Sequence, residues 1–239
     1  MGMFSYKETL PMVSERQYRD YTFGLMFPLG PRTLDALIAI FSKRPRQQLK
    51  NLEGRAAPRF TSLAEVGPVA IKYYRRGGWL SRINREKYWR LSKTRSRKEL
   101  EFLLRVGQAG VPVPEPVAFA SRGRFIYRAW LITRAVPAPV SLAQLAVGET
   151  EKALGLMPEI SRYIRILIKN RIRHVDLHPG NILVDQRGVP CFIDFDKAHY
   201  YAGTAAGLAK KYQQRWAKAI RKYHLPAALI PLDLTAIDT

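Results

Sequence analysis

The stretch HVDLHPGNILVD at residues 174–185, followed by CFIDFD at 191–196, decides how this chain is read. Asn181 follows Asp176 by five positions, and Asp194 follows Asn181 by thirteen. Ile182-Leu183-Val184 and Cys191-Phe192-Ile193 are short apolar runs, and Asp185-Gln186-Arg187-Gly188 between them has turn composition. Apolar runs bounded by turn signals predict buried strands, here an antiparallel hairpin. The hairpin brings Asn181, at the start of one strand, and Asp194, at the end of the other, to the same end of the ribbon. His178-Pro179-Gly180 forms a tight loop that a strand would not tolerate.

An isolated Asp or Asn is most simply a turn residue, and Asp185 is read that way. The combined pattern is the layout of a kinase catalytic loop and its metal-binding aspartate. In that template one Asp, here Asp176, takes the proton of the attacking hydroxyl. An Asn and a second Asp, here Asn181 and Asp194, hold the Mg²⁺ ions that bridge the ATP phosphates. His174 and His178 are read as structural residues of the loop. With Cys191 the only cysteine and no paired histidines of metalloprotease spacing, a zinc site is not expected.

Upstream, Val69-Ala70-Ile71-Lys72-Tyr73-Tyr74 is β-branched and aromatic, and predicts a strand. Lys72 follows Val-Ala-Ile as does the kinase lysine that pairs with the α- and β-phosphates. Such a lysine needs a glutamate from the next helix, predicted over Arg97–Gln108 with Gly110 and Pro112 as its stop. Glu99 and Glu101 are the two candidates. Glu99 shares a face with Phe102, Leu103 and Val106, and is chosen because a helix docked on a sheet presents its partner from the apolar side. No G-x-G-x-x-G precedes Lys72, and Gly54 is the glycine in the region of the phosphate-covering loop.

Elsewhere the reading is coarser. A short helix is expected over Thr33–Phe41, and a loop or irregular strand over Gly54–Thr61. Val111–Pro116 must be extended, because proline fixes φ and restrains its predecessor. Arg128–Thr133 reads as a strand and Arg134–Pro139 as the connection between two lobes. Glu151–Arg173 reads as one long helix, with Leu154, Met157, Ile160, Ile164, Leu167 and Ile168 as its core stripe. Residues 205–224 form a basic amphipathic helix whose apolar side holds Leu208, Tyr212, Trp216 or Ala219, Ile220 and Tyr223.

The charge is extreme. Forty Lys and Arg against nineteen Asp and Glu give +21 over 239 residues. Such an excess implies an anionic partner: nucleic acid, an acidic membrane face or an acidic substrate. The N-terminus lacks a signal-peptide pattern, Leu34–Phe41 is too short to span a bilayer, and Tyr6 breaks a myristoylation motif. A cytoplasmic protein is expected.

Several segments together resemble the bacterial lipopolysaccharide core kinases, the group that includes the 3-deoxy-D-manno-octulosonic acid (Kdo) kinases. They are Gly54-Arg55, IKYYRRGG at 71–78, Thr94-Arg95 with Glu99, GVPVPEPVA at 110–118, HVDLHPGN and IDFDKA. The resemblance covers residues from about 50 to about 200. It implies an α+β, two-lobed protein-kinase-like fold, with a small antiparallel sheet and one Glu-bearing helix in the first lobe and a mostly helical second lobe. It divides the chain into an extension (1–50), a nucleotide-gripping lobe (51–134) and a catalytic, metal and acceptor lobe (135–239). It implies ATP and Mg²⁺ as cofactors, with Lys72, Glu99, Asp176, Asn181 and Asp194 in their usual roles. The acceptor would be a lipid-linked anionic sugar, and the place of work the inner membrane's cytoplasmic face, reached by peripheral contact. Arg75 and Arg76, after the Lys72 strand, are candidate acceptor contacts because arginine forks suit carboxylates and phosphates. The HVDLHPGN loop departs from the HADLN-type loop of the Kdo kinases and is closer to small-molecule kinases, which leaves the acceptor open between Kdo and a heptose or another core sugar.

Three rival classes fit less well. A soluble aminoglycoside- or choline-type kinase binds a cation, which a +21 chain does not suit. A protein kinase would carry an A-P-E segment after Asp194. A nucleic-acid-binding module would carry one of the usual motifs, and none appears.

Overall fold

The protein is described by a computed structural model over residues 13–43, 58–74, 88–89, 93–124, 126–230 and 232–234. Gly54, Arg75 and Arg76 lie outside the described residues.

The first lobe is an antiparallel sheet with a helix on each face. Strands β1 (Ser14–Tyr18) and β2 (Tyr21–Leu25) form a hairpin, followed by helix α1 (Pro31–Ser42). Then come β3 (Arg59–Leu63), β4 (Gly67–Tyr73), the two-residue β5 (Tyr88–Trp89), helix α2 (Arg95–Gln108), β6 (Pro116–Arg122) and β7 (Ile126–Arg134). The order across the sheet is β1-β2-β6-β7-β4-β3, with β5 also pairing β7.

Alternation along the strands assigns each side chain to one helix or the other. Trp130 and Ile132 of β7 pack with Leu34, Leu37 and Phe41 of α1, and the Phe41 and Trp130 rings stack at 4.5 Å. Tyr127, Ala129 and Leu131 face the opposite way, into the core that holds Leu100, Leu103 and Val106 of α2. The same rule acts on β4. Val69 and Ile71 belong to the α1 side and Tyr74, just past the strand, to the α2 side, so Lys72 is directed at α2.

Helix α2 starts two residues earlier than predicted, because Thr94 serves as its N-cap and accepts from the Arg97 N–H. It stops at Gly110, whose φ of 87° suits glycine. Helix α1 begins at Pro31, in the first turn that tolerates proline. Glu65 secures that start by accepting from the Gly30 N–H and the Thr33 hydroxyl at 3.0 and 2.6 Å.

The second lobe is mostly helical. It contains β8 (Val140–Ser141), α3 (Leu142–Gly148), α4 (Thr150–Gly155), α5 (Met157–Lys169), β9 (Ile172–Arg173), β10 (Ile182–Val184), β11 (Pro190–Phe192), β12 (His199–Tyr200) and α6 (Ala205–Lys222). Ser141 and Gln144 form a reciprocal capping box at the head of α3. The single helix expected over Glu151–Arg173 is wrong in two places. Leu156 separates α4 from α5, where Pro158 in the first turn of α5 starts a new helix. At the other end Arg171, at φ 55°, turns the chain out of α5 into β9. The apolar stripe is nonetheless core: Met157, Ile160, Ile164, Leu167 and Ile168 are buried with Leu208, Tyr212, Trp216 and Ile220 of α6. Helix α6 therefore spends its apolar face inside the protein.

Candidate active site

The hairpin read from the sequence is present. Strands β10 and β11 pair antiparallel, with Ile182 opposite Phe192 and Val184 opposite Pro190. Its turn is held by Asp185, which accepts from the Arg187 and Val189 N–H groups at 2.9 Å each. The Val189 hydrogen bond is the largest influence holding the Asp185 carboxyl below its ordinary range. At the far end the Ile193 N–H donates to the Asn181 carbonyl at 3.0 Å, so the residues leading to Asp194 lie beside Asn181.

The loop before the hairpin is fixed by its histidines. His178 accepts from the Gly180 N–H at 3.0 Å and so closes the turn Pro179–Asn181. His174 is buried, with Nε2 2.8 Å from the Ile193 carbonyl and its ring edge-on to Phe195. Tyr212 of α6 donates to the Ile172 carbonyl and accepts from the His174 N–H, both at 2.8 Å, which ties the loop to the helix behind it. Burial disfavours the imidazolium and lowers the His174 pKa. A neutral ring donating from Nε2 to a carbonyl is a structural strut.

Lys72 crosses from the first lobe into the second. Its ammonium donates to both Glu99 oxygens, at 2.9 and 2.8 Å, and to Asp194 Oδ1 at 2.6 Å. Glu101 is not in this cluster: it binds Lys93 at 2.7 Å and Arg97 at 3.1 Å. Burial opposes the charge on Lys72, but the Glu99 and Asp194 carboxylates outweigh it and raise its pKa. The Tyr74 hydroxyl also donates to Glu99, and burial first, then the Glu99 charge, raises the Tyr74 pKa well above its ordinary value. Asp194 sits at φ 67°, a conformation that few residue types other than glycine and Asn or Asp adopt.

Three further contacts were not read from the sequence. Arg95, the first residue of α2, forks onto Asp196, with Nε 2.7 Å from Oδ1 and Nη2 on Oδ2. Lys197 donates to Asp176 Oδ2 at 2.9 Å. Arg215 of α6 approaches Asp176 Oδ1 at 4.0 Å. The partners lie 101, 21 and 39 positions apart, beyond any local pattern. The one usable signal was IDFDKA, where Asp196 and Lys197 add charge directly after Asp194.

The fold and the site define the class first: a two-lobed enzyme of the protein-kinase-like kind, a kinase. The chain belongs to the lipopolysaccharide kinase (Kdo/WaaP) family, whose model matches residues 40–219. It is 31% identical over 179 residues to a 3-deoxy-D-manno-octulosonic acid kinase of Vibrio cholerae, covering 73% of this chain and 75% of that protein. A protein of the same name from Photobacterium profundum is 31% identical over 177 residues, with 70% and 71% covered. One from Xylella fastidiosa is 33% identical over 147 residues, with 60% and 58% covered.

Proposed function

We propose that this chain transfers the γ-phosphoryl group of ATP to a hydroxyl of Kdo on a lipid-linked lipopolysaccharide precursor. The observation that carries the reading is Lys72, anchored by Glu99 and reaching Asp194, beside a loop that presents Asp176 and Asn181. The names of the Vibrio and Photobacterium relatives supply the acceptor.

In this reading residues 51–134 grip the nucleotide and residues 135–239 carry the base, the metal ligands and the acceptor. Lys72 binds the α- and β-phosphates, and Glu99 keeps its ammonium from collapsing onto other acceptors. Asp176 orients the sugar hydroxyl and takes its proton as the phosphoryl group leaves ATP.

The residues fit Mg²⁺. Asn181 Nδ2 donates to the Asp176 carbonyl at 2.9 Å, which turns the amide oxygen toward a ligand role. With the Asp194 carboxylate this gives an all-oxygen set of one carboxylate and one amide, which suits Mg²⁺ shared with substrate phosphates. Bound there, Mg²⁺ would neutralise charge on the phosphates.

The membrane contact is electrostatic. No helix among the described residues is long and apolar enough to cross a bilayer. On α6, Lys210, Lys211, Lys218, Arg221 and Lys222 are exposed while Leu208, Tyr212, Trp216 and Ile220 are buried. Each basic residue near an acidic leaflet contributes about 1 kcal/mol of attraction, so such a helix can hold the enzyme at the inner membrane's cytoplasmic face without insertion.

The test is incubation with γ-labelled ATP, Mg²⁺ and a panel of Kdo- and heptose-bearing lipid A precursors. Label should enter the Kdo-bearing acceptor. Label in a heptose-bearing acceptor alone would move the acceptor to another core sugar, and label only in a soluble alcohol would overturn the substrate class.

A further inference from the structure

An ammonium has three donors, and those of Lys72 are all engaged by carboxylates. Two meet the Glu99 oxygens, at 2.9 and 2.8 Å, and one meets Asp194 Oδ1, at 2.6 Å. A lysine that is to grip phosphates must turn at least one donor away from these partners. The two carboxylates are held differently. Asp194, in the second lobe, keeps 14% exposure, whereas Glu99, on α2, keeps 2%. Glu99 also accepts a hydrogen bond from the Tyr74 hydroxyl.

Tyr74 is itself fixed to the sheet. Its N–H donates to the Ala129 carbonyl of β7 at 3.1 Å, one residue past the end of β4. Its side chain is buried in the core that contains Leu100 and Leu103 of α2. The Lys72 ammonium lies 5.2 Å from the centre of the Tyr74 ring and the Arg95 guanidinium 5.6 Å, within the roughly 6 Å reach of cation–π attraction. Arg95 in turn forks onto Asp196. Tyr74 thus meets one member of each ion pair that joins the lobes, Lys72–Asp194 and Arg95–Asp196. The ring alone would satisfy the packing. The hydroxyl adds a contact to the carboxylate that anchors Lys72.

We infer that Tyr74 is a positioning residue: it keeps Glu99 on Lys72, so that nucleotide binding draws Lys72 away from Asp194 and not from Glu99. This rests on the reading of Lys72 as the phosphate grip. Glu99 has a rotatable side chain, and Lys72 by itself is a partner that the nucleotide phosphates compete for. A hydroxyl donated from the sheet holds the carboxylate while the ammonium turns toward the phosphates. The more exposed Asp194 is the partner released.

The test is a double-mutant cycle of Tyr74→Phe and Glu99→Leu, with Lys72→Met alongside. It is read by transfer from γ-labelled ATP with Mg²⁺ to the Kdo-bearing lipid precursor, and by urea titration without nucleotide. Tyr74→Phe keeps the ring and removes only the hydroxyl. It should lower kcat/KM for ATP roughly 10-fold, the scale of a lost hydrogen bond to a charged group. The acceptor KM should stay within about twofold. In the Glu99→Leu background, already low in kcat/KM, the same change should alter kcat/KM for ATP by less than about twofold. The urea midpoint should fall when Tyr74→Phe is made in wild type. It should rise when the change is made in Glu99→Leu, where the buried hydroxyl has lost its acceptor. If Tyr74→Phe alone does not fold, the double variant, which strands no buried carboxylate, is compared with Glu99→Leu.

Equal losses from Tyr74→Phe in both backgrounds would overturn the inference, as would a loss that appears equally in the acceptor KM. An unaffected Tyr74→Phe beside a crippled Lys72→Met would overturn this inference alone. A Lys72→Met enzyme with the wild-type kcat/KM for ATP, or a wild type that labels no acceptor, would bring down the function proposed above, and this inference with it.

Discussion

The two halves of the site are built the opposite way round, a cation among carboxylates and a carboxylate among cations. Around Lys72, one ammonium faces the Glu99 and Asp194 carboxylates. Around Asp176, one carboxylate faces the Lys197 ammonium and the Arg215 guanidinium. The Asn181 amide lies on the border, bonded to the Asp176 backbone. The contrast separates tasks that the motif alone runs together. In the proposed function, the carboxylates around Lys72 would serve a divalent cation travelling with a nucleotide, and the carboxylate at Asp176 would serve the acceptor hydroxyl.

The comparison breaks first at Asp176. Replacing it with Ala removes the proposed base and should lower kcat by about 10²–10⁴-fold. Near-normal turnover in Asp176→Ala would sink the assignment. On the other half, Lys72→Met should lower kcat by on the order of 10²–10³-fold. It also strands Glu99, which is 2% exposed, at a cost near 3 kcal/mol, the lower end for a broken buried pair because the Lys72 side chain keeps 33% exposure. A urea titration reads that cost. The control is Glu101→Gln on the same helix. Glu101 pairs with the half-exposed Lys93, so the change should cost less than about 1 kcal/mol and spare turnover.

Stability should also depend on pH from both sides. Lys72 and Tyr74 have raised pKa values in the folded protein. The stability they contribute is complete below their ordinary values near 10 and is lost as pH rises beyond them. His174 has a lowered pKa, so its contribution is complete above about 6.5 and is lost as pH falls through the folded value. Urea midpoints across pH should therefore fall at both ends. His174→Gln, which keeps a donor for the Ile193 carbonyl, should flatten the acid limb, and an unchanged acid limb would contradict the assignment.

The Lys72 half was largely legible in the sequence, whereas around Asp176 only the carboxylate itself was. Lys72 is announced by Val-Ala-Ile before it, and the hairpin by two apolar runs around a turn. Glu99 could be separated from Glu101 because helical periodicity put only Glu99 on the face that docks against the sheet. These signals are local, a few residues long. Lys197 and Arg215 meet Asp176 only once the loop after Asp194 and α6 have packed, and nothing in their spacing foretells it. Strand β1, SERQY, was missed for another reason. It is an edge strand with mostly exposed side chains, held by backbone pairing to β2, so it shows no apolar alternation. The break at Leu156 was missed because the apolar stripe on either side stays in phase, while Pro158 was passed over as a helix start.

The Arg95–Asp196 fork joins the first lobe to the second. Asp196→Asn keeps the shape of the Arg95 partner but removes its charge, and the measured coupling to Arg95 in a double-mutant cycle should be about 0.5–3 kcal/mol. A coupling of zero would mean that the fork between the lobes contributes nothing.

The division of labour between the halves is tested most directly by calorimetric titration of Mg²⁺–ATP into wild type, Asp194→Asn and Asp176→Ala. Asp194→Asn should weaken binding by about tenfold or more, the loss of a ligand charge, while Asp176→Ala should bind within about twofold of wild type. Loss of nucleotide binding in Asp176→Ala, or unaltered Mg²⁺-dependent binding in Asp194→Asn, would contradict it.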